Sequence, residues 1–100
     1  MKLANDDRAA VRELGKVRAN KLKTRLNDLL DAATLENVRY VAGNFRELKA
    51  DRKGTWACDL DQPYRLIFRP HEDPIPTDGS GRFIWSQIRG VEIIEIVNYH

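Results

Sequence analysis

Cysteine and histidine are nearly absent. The 100 residues hold one cysteine, Cys58, and two histidines, His71 and His100. A lone cysteine excludes an internal disulfide framework and suits a reducing compartment, so the expected location is the cytoplasm. Two separated histidines and one thiol offer no metal-ligand spacing, and neither a metal nor another cofactor is expected. The six glycines are scattered rather than gathered into a phosphate-cradling loop. Ser80 and Ser86 sit in no nucleophile motif. No apolar run is long enough to cross a bilayer, and "MKLANDDRAA" lacks the apolar segment of a secretory signal, so no membrane partner is expected.

What is abundant is charge, at 32% of residues, with a net charge of only +2. The cations are clustered. Lys16, Arg18, Lys21, Lys23 and Arg25 follow one another with no acid between them, and Arg39, Arg46, Lys49, Arg52, Lys53, Arg65 and Arg69 form a second set. Clustered positive charge attracts phosphate polymers or an acidic protein partner. The plainer reading of the first cluster is a solvated helix face.

Periodicity divides the chain in two. "NDDRAAVRELG" has a capping residue, acids in its first turn and Gly15 as a stop, and reads as a first helix. "KVRANKLKTRLNDLLDAA" reads as a second, with Val17, Leu22, Leu26, Leu29, Leu30 and Ala33 as its apolar stripe. Thr34 caps a further short turn through "LENVRY". Beyond "AGN" the period becomes strand-like. "FRELKA" and "TWACDLD" flank the turn "DRKG", where Gly54 takes a positive φ, and "QPYRLIFRP" alternates Tyr64, Leu66 and Phe68 against Arg65, Ile67 and Arg69. "HEDPIPTDGSG" reads as an exposed, mobile loop, and "GVEIIEIVNYH" is the last strand. Helices followed by strands predict one α+β domain over residues 1–100, two N-terminal helices packed on a small antiparallel β-sheet. Trp56 and Trp85 are expected in its core.

Chemistry is expected beside the final strand. Histidine moves protons near neutral pH, lysine and arginine stabilise the extra charge of a phosphorane-like transition state, and tyrosine stacks on a base or donates a hydrogen bond. His100, Tyr99, Arg65 and Lys49 together suit metal-independent RNA cleavage, with the substrate's 2′-hydroxyl as nucleophile.

"LKADRKGTWACDLDQPYRLIF", followed at a distance by "VEIIEIVNYH", resembles the HigB-like killer toxins of the bacterial RelE/ParE superfamily. The Pro-rich stretch before Trp85 is similar to the plasmid-maintenance killer branch. The resemblance spans roughly residues 8–100. It implies the toxin of a type II toxin–antitoxin pair, a ribosome-dependent mRNA endonuclease held by a cognate antitoxin, usually a helix-turn-helix protein, in a hetero-oligomer. The implied partners are that antitoxin, mRNA and the ribosome. By resemblance Lys49 is the basic residue before the turn, Arg65 contacts the scissile phosphate, and Tyr99 and His100 end the terminal motif. Arg46, Arg52, Lys53 and Asn98 are the expected RNA-binding residues.

Four departures set this chain apart. Asn98 stands where an aspartate is usual, Arg46 where some members carry histidine, and Ala50 where glycine is usual. The initial strand of such proteins also has no counterpart, so that either the sheet lacks it or the gene start has been placed late. The departures leave His100 as the proton-transfer group and favour an alternative, a non-catalytic member that acts by binding an antitoxin or gyrase.

Overall fold

A computed structural model describes residues 1–4 and 15–98. The first expected helix, over residues 5–14, and the terminal pair Tyr99 and His100 lie outside the described residues. One α-helix, α1 (Lys16–Asp31), precedes a 3-10 turn at Leu35–Tyr40. Five strands follow the order β1 (Lys2–Leu3), β5 (Gly90–Asn98), β4 (Tyr64–Pro70), β3 (Trp56–Asp59), β2 (Arg46–Glu47) across a single sheet.

The sheet corrects the expected layout in two respects. Lys2 and Leu3 do supply an initial strand, pairing with Gly90 and Val91, and they do so in parallel. The sheet is therefore mixed, antiparallel only from β5 to β2. The terminal amine of Met1 donates to the carbonyls of Leu29, Leu30 and Ala32, which anchors β1 against the last turn of α1.

α1 buries Leu22, Leu26 and Leu29, three positions at helical spacing. The predicted stripe was too wide: Val17 is 66% exposed and Leu30 lies at the surface. The helix covers the sheet face formed by Trp56, Cys58, Leu66, Phe68 and Val91, all fully buried. Trp56 and Trp85 meet edge-on in this core, with ring centroids 5.4 Å apart. Thr34 caps its turn as expected: its backbone N–H donates to Asn37 Oδ1 at 3.0 Å, one half of a reciprocal box. Gly54 has φ +92 in the predicted hairpin turn.

The loop from His71 to Gly81 is tied down more than its composition predicts. Asp78 Oδ1 accepts the backbone N–H groups of Ser80 and Arg82 at 2.8 and 3.0 Å, and Thr77 bridges Phe83.

Cys58 is buried, and burial pushes its thiol up to about 12. A raised folded-state value means the thiol's contribution to stability is intact below the unfolded-chain value near 9 and is lost as the pH climbs from there towards about 12. Ellman's reagent at pH 8 is accordingly expected to label Cys58 only when denaturant is added, and unfolding free energy is expected to fall less steeply above pH 9 in Cys58→Ala than in the parent chain.

One glycine joins the two layers. Gly43 has φ +120, and a Cβ there would meet the Arg25 guanidinium at 2.7 Å. That guanidinium is already held by the carbonyls of Ala42 and Asp59, each at 3.0 Å, and by Asp28 at 2.8 Å. Gly43→Ala is expected to cost roughly 2–3 kcal/mol, through backbone strain together with a displaced Arg25, measured by urea denaturation.

Candidate functional site

The sheet face turned away from α1 carries three of the predicted residues, Arg46, Arg52 and Arg65. Alternation along β3 and β4 puts Trp56, Cys58, Leu66 and Phe68 on the core side, and so turns Ala57, Asp59, Arg65 and Ile67 to the other side. Asp59 is paired with Arg65, and Arg65 with Val97. Arg46, paired with Ala57 from the outer strand, lies on the same face.

Asp59 is the residue that gathers the two arginines. Its Oδ1 lies 3.3 Å from Arg46 Nη1 and 3.7 Å from Arg65 Nε. Arg46 Nη1 also donates to the Asn44 carbonyl at 2.6 Å, and Asn44 Nδ2 approaches the Asp59 carboxylate at 3.4 Å. Side-chain exposures of 26–35% leave the cluster open to an incoming ligand. Two planar guanidinium groups fixed side by side are suited to a phosphate, which they bind through paired N–H donors.

The remaining predicted residues divide. Arg52 lies on this face, reaching across β3 and β4 to Glu95 at 2.9 Å. That bridge runs over the row that contains Ile67, which is fully buried on this face beside Ala57. Lys49 sits at the start of the 3-10 turn Ala50–Arg52, exposed and with no ion pair among the described residues. Ala50 occupies the left-handed region at φ +58, the conformation that a glycine would adopt more readily. Lys53 turns away, its ammonium 5.6 Å from the Phe83 ring. Asn98 ends β5 opposite Tyr64, on the α1 side of the sheet rather than with Arg65.

The basic helix also divides. Arg18 stacks over Tyr64 at 3.4 Å and pairs with Asp61 at 3.1 Å, and Arg25 points inward, whereas Lys16, Lys21 and Lys23 are exposed. Among the described residues no group of three or more His, Cys, Asp or Glu is placed to hold a metal. None of the described helices is long and apolar enough to cross a membrane.

Asp59 was missed in the sequence. Its spacing from Arg65 has meaning only once the hairpin register is known, because a shift of one residue would turn it to the core face.

No protein-family model matches the chain, and no curated protein matches it. Among solved structures, a YoeB/ParE toxin from Agrobacterium tumefaciens is similar, with 18% identity over 100% of both chains and a TM-score of 0.51. The likeness is one of fold: an α+β chain with one main helix on a five-stranded sheet.

Asp59→Ala is expected to lower stability by only about 1 kcal/mol, since its ion pairs are partly exposed. It is also expected to release Arg46 and Arg65 from their common position, read as broadened guanidinium Nε–H signals in NMR spectra.

Proposed function

We propose that this chain is the toxin of a toxin–antitoxin pair that cleaves mRNA on the ribosome without a metal. The observation that carries the reading is the pair Arg46 and Arg65, held by one carboxylate on an open sheet face. The fold likeness to a protein titled a YoeB/ParE toxin adds support. In this reading Arg65 and Arg46 bind the scissile phosphate and stabilise its developing charge. Lys49 and Arg52 extend the positive surface along the message. Tyr99 stacks on or hydrogen-bonds a base, and His100 moves the proton between the 2′-hydroxyl and the leaving oxygen. The HigB-like branch is the one whose terminal motif the sequence most resembles. An antitoxin would cover the same face.

A second reading keeps the fold and the antitoxin but drops catalysis, with action through protein binding, gyrase included. One observation favours it: the Asp59 carboxylate already occupies the arginines where a phosphate would have to sit.

Expression of the intact chain in cells lacking an antitoxin, followed by primer extension on an abundant mRNA, separates the two. Cleavage predicts new 5′ ends inside translated codons, reduced ~10²–10⁴-fold in His100→Ala and weakened in Arg65→Ala with the fold retained. Growth arrest without new ends would establish the second reading, and full toxicity of His100→Ala would remove that residue from the mechanism.

A further inference from the structure

Consecutive residues of a strand face opposite ways, and at β2 the consequence is a second site. Arg46 turns to Asp59, while Glu47 turns to the other side of the sheet, towards Trp85. There a cavity of about 380 Å³ is lined by Arg39, Glu47, Lys53, Arg82, Phe83 and Trp85. The volume falls in the lower part of the range of about 300–1,000 Å³ typical of small-molecule sites.

The charges around it do not cancel. Three cations face one acid, and that acid is already engaged at both oxygens. Glu47 Oε1 accepts from Arg39 Nη2 at 3.1 Å, and Oε2 accepts the Trp85 indole N–H at 3.2 Å. Burial works against the Arg39 charge, but the Glu47 and Glu36 carboxylates outweigh it and hold its pKa above the ordinary value. Arg39 is further fixed by stacking over Trp56 at 4.8 Å. Lys53 and Arg82 remain, and among the described residues neither has an ion pair.

The wall opposite is aromatic. Phe83 leans on Trp85 with ring centroids 5.1 Å apart and remains half-exposed, whereas Trp85 is buried. The segment that carries Arg82 and Phe83 is held by the Asp78 turn and the Thr77–Phe83 bridge, so both side chains project from a fixed backbone.

A bare anion has no use for an aromatic wall, and an apolar ligand has none for Arg82 and for Lys53, whose ammonium lies 5.6 Å from the Phe83 ring but pairs with no acid among the described residues. A ligand with a flat ring joined to a phosphate uses both. We propose that this cavity binds a nucleotide, with its base against Phe83 and its phosphate between Lys53 and Arg82. The nucleotide is either free or one unit of a single-stranded RNA. The site lies apart from the arginine face and does not depend on cleavage there.

Two-dimensional NMR titrations of the full chain test this, with adenosine monophosphate, tetra-adenylate RNA and inorganic phosphate as probes. The expected result is a saturable shift of the Trp85 indole N–H and of the Gly81 and Phe83 amides, with Arg65 and Ile67 unmoved by the mononucleotide. Arg82→Glu and Lys53→Glu, both at exposed positions, are each expected to weaken the binding by about tenfold or more, and Phe83→Leu to weaken it as well. Saturation by the mononucleotide identifies free nucleotide as sufficient, and saturation by the tetranucleotide alone identifies an RNA strand. Equal shifts with phosphate alone, no shifts with any probe, or binding unchanged in Arg82→Glu would overturn the proposal. Failure here leaves the mRNA-cleavage reading standing, because that reading is tested at His100 and Arg65.

Discussion

Asp59 is gripped from both sides of the sheet, and the candidate site depends on that grip. From the helix layer, Arg25 donates to its backbone carbonyl, and its own N–H donates to the Gly43 carbonyl at 2.8 Å. From the outer face, Arg46 and Arg65 close on its carboxylate. Arg25 has only 12% of its side chain exposed and serves the helix, the loop before β2 and the end of β3 at once. Without it, the part-buried carbonyl of Asp59 loses its Arg25 donor, at a cost of about 1–3 kcal/mol if it is left unsatisfied, whereas the exposed Ala42 carbonyl can turn to water. The site is thus held in place through the core layer, since the residue that orders the two arginines is itself ordered from below.

The division between arginine and lysine follows the same logic. Arg18, Arg25, Arg39 and Arg46 each make two or more directed contacts, with carboxylates, carbonyls or aromatic faces. A planar guanidinium with several fixed donors can do this, and an ammonium on a flexible stem does it poorly. Lys16, Lys21, Lys23 and Lys49 are exposed instead. A basic cluster in a sequence therefore mixes two kinds of cation. The arginines here largely hold the fold together, and the lysines supply the field felt by a partner.

Much of the fold was legible because it is written in local periods. The leucines of α1, the capping Thr34, the turn glycine at position 54 and the alternating residues of β4 each declare themselves within a few positions. What escaped depends on distant partners. Two residues, Lys2 and Leu3, have no period to read, and their parallel pairing with Gly90 and Val91 joins the ends of the chain. Val17 matches the helical stripe but lies a turn before the core begins. Of the site, Arg46 and Arg65 were identified as candidates, but Asp59 between them was not. Lys53 was grouped with the arginines by its nearness in the sequence and Asn98 by its place in the terminal motif, although alternation and register send both elsewhere.

The turn at residues 50–54 is where these constraints meet. It must deliver Arg52 to Glu95 across one face of the sheet and Lys53 to Phe83 on the other within two consecutive residues. A left-handed residue just ahead of them bends the chain sharply enough to do so, and Ala50 occupies that position at φ +58. An alanine there costs about 1–2 kcal/mol, a strain that glycine would relieve while loosening the turn. Alanine trades stability for a stiffer turn, and a stiffer turn keeps the two basic side chains on separate faces. The candidate phosphate face and the aromatic cavity are in this sense one construction, divided by β2 and held apart by a single strained residue.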